Sequence, residues 1–177
     1  MKGERALVRG TVDGCLSVLG VVIGAYGMEP ALLLSAALAG NMANGLSNVL
    51  AAFSAESAHA ALRLRILERA MLTELHGTEA EQVTRTATLR AAISDGLATV
   101  LGGLVPVLPF FFFSGLPAMG LAIGMSLLVM LGLGAWAGRL SHQGMLRSAL
   151  KLAAWSLLTV LTSLAIPRLV APEVPLS

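Results

Sequence analysis

The chain has 177 residues, of which 56% are hydrophobic and only 12% charged, with a mean hydropathy of +0.81, against roughly 25% charged residues in an ordinary soluble domain. The hydrophobic residues suffice for about five spans of ~20 residues, so the fold class expected is an all-α membrane protein whose first partner is the lipid bilayer. The net charge of +2 is too small for a nucleic-acid footprint, so no nucleic acid is expected.

The first apolar stretch covers 11–28, behind Lys2, Arg5 and Arg9. It has the outline of a signal peptide, but Asp13 and the lack of an A-x-A cleavage site argue against one. Its one cysteine, Cys15, can form neither an intrachain disulfide nor a cysteine zinc site and is expected to pack as a small apolar residue. Glu29-Pro30 predicts a tight turn into a second span, 31–53, so the two form a hairpin. At 54–90 the composition changes abruptly to Glu, Arg, His and Thr, with His76-Gly77-Thr78 as a break between two amphipathic helices. A third span follows at 92–113, kinked by Pro106 and Pro109; Ser114-Gly115-Leu116-Pro117 turns into a fourth at 118–138, and polar residues 139–147 lead to a fifth at 148–166. The chain thus divides into helices 1–2 (1–53), a cytoplasmic helical segment (54–90) and helices 3–5 (91–177).

Alternating five spans puts the N-terminus, 54–90 and 139–147 on one side. That side carries eleven of the 12 Lys and Arg residues, all but Arg168. The positive-inside rule makes it cytoplasmic, N-in and C-out. Residues 13–20 (DGCLSVLG) and 95–102 (DGLATVLG) also align, both starting at the cytoplasmic face, as a parallel internal repeat would.

Ionisable residues within membrane spans are costly and usually face a bundle interior or a water path. Asp13 and Asp95 are the two candidates. Asp95 also reads as a carboxylate near the start of its helix, favoured by the macrodipole. Asp13 falls deeper, because Ala6-Leu7-Val8 can extend the first helix backwards. In the second span Asn41, Asn44 and Asn48 share one helix face; they either line a polar path or hydrogen-bond between helices. Met42, beside them, is a gap-filler or a soft metal ligand. Glu56 and His59 stand at i, i+3 in the polar segment, a spacing used in carboxylate metal sites, with Glu68 and Glu74 behind them; a solvated helix with Leu64, Leu67, Met71 and Leu75 as its apolar stripe explains the same pattern. No G-x-S-x-G, H-E-x-x-H or G-x-x-x-x-G-K-[ST] motif occurs, and an enzyme is not expected.

Taken together, Asp13-Gly14 with Gly20, Gly24 and Gly27, then Met42-Ala43-Asn44-Gly45, a Glu-bearing cytoplasmic segment and the third-span run from Leu101-Gly102-Gly103 to Pro109 resemble the vacuolar iron transporter family, in a divergent, prokaryotic-type form. The resemblance implies a homodimeric five-helix transporter that exports Fe2+ or Mn2+ from the cytosol, in the better-known members against protons. It implies Asp13 and Met42 on the metal path and cytoplasmic glutamates that collect metal, so the metal set it points to is Asp13, Met42, Glu56, His59, Glu68 and Glu74, with no permanently bound cofactor and the metal as substrate. One departure stands out: Leu46 replaces a family glutamate. Two alternatives stay open, a non-transporting interaction or assembly protein and a transporter of another cation or small solute. Without an organelle-targeting extension, a prokaryotic cytoplasmic membrane is the expected location.

Overall fold

The computed structural model describes residues 2–71, 79–140 and 144–170, and among them every regular element is helical. Five α-helices appear: α1 (Lys2–Gly24), α2 (Pro30–Met71), α3 (Glu79–Val107), α4 (Gly115–Leu140) and α5 (Met145–Val170). The backward extension of α1 is as expected, and it places Asp13 three turns inside the helix. The hairpin also forms where Glu29-Pro30 predicts it. Gly27 supplies the turn with φ +92°, and Pro30 opens α2, where its missing N–H costs no hydrogen bond.

Two boundaries differ from the reading of composition. Helix α2 does not stop where the apolar residues stop but runs on for 42 residues in all, because no Gly or Pro occurs from 46 to 71 and Ala, Leu, Arg and Glu are good helix formers. Helix α3 begins at Glu79, well before the apolar stretch. The break expected at His76-Gly77-Thr78 lies outside the described residues. Pro106 and Pro109 close α3 rather than kink its middle: Pro106 is the penultimate helical residue, and Leu108–Phe111 continues as a single 3-10 turn.

Among the described residues four helices, not five, are long and apolar enough to cross a membrane by themselves: Glu4–Gly24, Gln82–Phe111, Gly115–Arg139 and Met145–Ile166. The fifth, α2, has the length, but Asn41, Asn44 and Asn48 dilute its apolar half. Half of the α3 window is buried inside the protein, 39% of α1, 28% of α4 and 17% of α5, so α1 and α3 are the centre of the bundle and α5 its periphery.

Helix α1 touches all four others. Its Val18 and Val22 pack against Leu33 and Ala37 of α2 and Val107 of α3, while Leu19 and Ile23 pack on the opposite side against Met119 of α4 and Val160 of α5. The α1–α3 contact is the most extensive, and glycines make it. A Cβ at Gly10 would meet the backbone of Asp95, one at Gly14 the backbone of Thr99, and one at Gly102 the backbone of Thr11. Such backbone-to-backbone approach, through small residues, is how helices gain dispersion energy in a solvent as apolar as themselves. The pairs Gly10–Asp95 and Gly14–Thr99 advance together, so α1 and α3 are parallel. Helix α2 crosses α3 in the opposite sense through Gly45 and Gly96, with Val100 and Val49 filling the space that side chains would need.

At the N-terminal end of this seam Arg9 of α1 grips Asp95 of α3, with Nε donating to Oδ1 at 3.1 Å and Nη2 to Oδ2 at 2.8 Å. Asp95 is 2% exposed, while the Arg9 side chain is 64% exposed. The macrodipole reading of Asp95 therefore gives way to an ion pair, since α3 starts four turns earlier.

Two stability predictions follow from the seam. Gly14→Ala should lower the stability of the purified protein by about 1–3 kcal/mol, read as a lower thermal midpoint, whereas Gly24→Ala, which meets nothing within 4 Å, should leave it unchanged or slightly raised. Arg9→Leu strands a buried carboxylate and should cost about 3 kcal/mol; the Arg9→Leu, Asp95→Leu double variant should recover most of it, and additive losses in a thermal double-mutant cycle would contradict the pairing.

Candidate functional site

The three asparagines predicted to share a face do so, and that face meets α1 and α3. Asn44 and Asn48, half-buried, both donate from Nδ2 to Oδ2 of Asp13, at 2.9 Å and 2.7 Å. Asn48 uses its second Nδ2 hydrogen on Thr99 Oγ1 at 2.9 Å, and that hydroxyl donates to the Asp95 carbonyl at 2.9 Å. One turn further along α2, Asn41 is 1% exposed and donates to the Val100 carbonyl at 2.9 Å. Its Oδ1 is buried without a partner, against Gly103, where any Cβ would collide with it.

The result is a polar track from Thr99 and Asn48 through Asp13 and Asn44 to Asn41, where α1, α2 and α3 meet. It contains one carboxylate that no cation pairs with among the interactions described for it. Its hydrogen bonds come from amides, which carry no charge. Each asparagine amide also presents an oxygen on its other side. Rotating an amide exchanges donor for acceptor, so this cluster can either hold a bare carboxylate with N–H groups or surround a cation with oxygens. Hard oxygen donors of this kind suit divalent cations.

Several predicted site residues lie elsewhere. Met42 is 52% exposed and Leu46 68% exposed, on the outward face of α2, away from Asp13 within one chain. Asp95 is occupied by Arg9. Cys15 is fully buried, as a small apolar residue would be. Glu56 and His59 do lie together, lining a cavity of about 360 Å³ with Arg5, Arg9 and Arg63. A carboxylate and an imidazole set among three guanidiniums offer a divalent cation less than the same pair alone. Glu68 is half-buried further along α2, and Glu74 lies outside the described residues. Among the described residues no group of three or more His, Cys, Asp and Glu side chains is arranged to hold a metal.

Two participants escape a reading of the sequence by residue type. Thr99 is fully buried and bridges the asparagine track to α3; its only signal is its place in the repeat, opposite Ser17. Arg9 reads as a helix neighbour of Asp13, yet its partner sits 86 positions away.

Comparison with known proteins agrees with this architecture. A profile of the VIT family matches residues 54–168. An uncharacterized protein of Methanocaldococcus jannaschii is 38% identical over 160 residues, covering 88% of this chain and 83% of the archaeal one. A protein of Oryza sativa subsp. japonica named vacuolar iron transporter homolog 2 is 29% identical over 170 residues, covering 94% of this chain and 90% of the rice protein. With five helices, a polar track through their centre and a family match over more than half of its length, the chain belongs to the VIT family of integral-membrane metal transporters.

Proposed function

We propose that this protein moves a divalent transition-metal cation, Fe2+ or Mn2+, out of the cytosol, with a proton exchanged at Asp13. The observation that carries the reading is the Asp13 carboxylate, held by Asn44 and Asn48 inside a membrane helix where the central three helices meet. An ionisable group so placed is costly unless it serves a pathway. The unpartnered Asn41 Oδ1 extends the track with an acceptor ready for a cation. The name printed for the rice relative supports iron as a substrate.

In this reading all five helices cross the bilayer. The asparagine face of α2 is tolerated because it is turned inward against α1 and α3. The N-terminus, the far end of α2 and the start of α3 lie in the cytoplasm of a prokaryotic cell, where the charge asymmetry puts them. A cation entering the track finds one negative charge and several neutral oxygens. Asp13 releases its proton as the cation arrives and takes one up as it leaves, so that flux responds to a pH gradient. Homodimerisation belongs to the same reading: Met42 and Leu46 face outward, so a methionine contribution to the path requires a second copy across that face.

A single carboxylate binds a divalent cation more weakly than two, and Leu46 stands where the resembling family carries a glutamate. That substitution favours, as a second reading, transport of another cation by the same track.

The test is flux of Fe2+ and of Mn2+ into proteoliposomes of the purified protein, with and without a pH gradient. Wild type should transport, Asp13→Asn should fall to the level of empty liposomes while remaining folded, and Asn48→Ala should lose about ten-fold. Competition by other divalent cations separates the two transport readings. No flux from folded wild-type protein would overturn both and turn attention to a partner for the cytoplasmic helices.

A further inference from the structure

The cavity beside Arg9 is built differently from the Asp13 track. Its floor is three alanines, Ala6, Ala52 and Ala91, one from each of α1, α2 and α3. Their short side chains leave about 360 Å³ open, within the range of small-molecule sites. Its walls are basic. Arg5 and Arg9 stand one turn apart on α1, and His59 and Arg63 one turn apart on α2, so two pairs one helical turn apart border the same space.

The charges decide what such a space attracts. Three guanidiniums border the cavity against one carboxylate in its lining, Glu56, so the lining itself is net positive; Asp95 and, more weakly, Asp13 act on Arg9 from outside it. The ion pair with Asp95 occupies Arg9 Nε and Nη2, and a guanidinium has five N–H donors, so donors remain for another acceptor. A metal cation is repelled there; a tetrahedral oxyanion with several acceptor oxygens fits, because planar guanidiniums engage phosphate two bonds at a time.

Depth supplies a further constraint. Ala6 stands near the start of the apolar span Glu4–Gly24. Ala52 lies at the end of the apolar run 31–53, and Ala91 follows the charged residues that lead into the apolar run 92–113. All three floor residues therefore mark the level where apolar side chains give way to polar ones, which is where lipid phosphates lie in a bilayer.

We propose that this cavity binds a phosphate oxyanion, presented by an anionic lipid headgroup or by free phosphate, with Arg5, Arg9 and Arg63 as its ligands. The site is separate from the metal track, and only its lipid source rests on the membrane placement proposed above.

The experiment uses the full-length protein in nanodiscs. Native mass spectrometry counts phosphatidylglycerol retained from mixed phosphatidylglycerol and phosphatidylcholine discs, and thermal midpoints are read in phosphatidylcholine discs titrated with inorganic phosphate. Wild type should retain phosphatidylglycerol if the lipid is the source, or gain thermal stability with inorganic phosphate if the free anion is. Arg5→Gln with Arg63→Gln should weaken that response by about ten-fold, whereas Arg147→Gln with Lys151→Gln, which removes the same charge from α5, should not. Ala6→Leu keeps every charge and fills the floor; it should abolish the response as the arginine pair does, and it serves as the test if the double glutamine variant does not fold. Equal loss in both charge-removal pairs, an unaffected Ala6→Leu, or no response in either arm would overturn the assignment. Because the readout is anion binding, its failure leaves the Asp13 flux result untouched.

Discussion

The polar groups where α1, α2 and α3 meet are positioned by one contact, the backbone approach of α1 to α3. Between two helices in an apolar solvent, association comes from dispersion and from the few hydrogen bonds that cross the gap. Gly10 and Gly14 on one helix and Gly102 on the other let the main chains touch. Once they touch, α2 can reach both partners with the same face, so that Asn48 bonds Asp13 on α1 and Thr99 on α3 at once. Separating α1 from α3 by a single methyl group would pull these acceptors apart.

The two Asp-Gly segments are alike in sequence but not in their surroundings. A repeat in perfect register would set Asp13 and Asp95 at equal depth. The glycine contacts instead pair Asp95 with Gly10, about one turn towards the N-terminal end. That shift brings Asp95 level with Arg9 and leaves Asp13 facing amides. One acid is paired with a cation; the other is held by neutral amide donors. The first ties α1 to α3 by charge, and the second ties α1 to α2 by amide hydrogen bonds. A sliding distance of about one helical turn separates an ion-paired acid from an amide-bound one.

The parts of this arrangement that were legible in the sequence are those set by local pattern. The i, i+3, i+7 spacing of Asn41, Asn44 and Asn48 needs only helix geometry to form a face, and the Glu29-Pro30 turn needs only local backbone preferences. The end of α2 was not legible from composition, because a change from apolar to charged side chains alters the solvent a helix prefers without altering its propensity to be a helix. For the same reason five apolar stretches did not become five helices of equal apolarity: the amides that make the face useful also lower the hydropathy of the span that carries it. The partner of Asp95 was hidden for a different reason, since an ion pair between helices depends on their relative slide, which no single helix encodes. The glycines of α1 differ in what they meet. Within this chain Gly20 approaches Ser163 of α5, Gly24 meets nothing, Gly27 makes the turn, and the glycines that bury against α3 are Gly10 and Gly14.

The unbroken course of α2 carries a mechanical consequence. Forty-two residues of α-helix form a rod about 63 Å long, roughly twice the thickness of the hydrocarbon layer. The same rod bears the three amides in its first half and, beyond them, Glu56, His59 and Arg63. With neither glycine nor proline from 46 to 71 it has no joint between those regions. A rotation of the outer half about the helix axis is therefore a rotation of the amide face by the same angle, and the ring of donors around Asp13 cannot turn without the far end turning too.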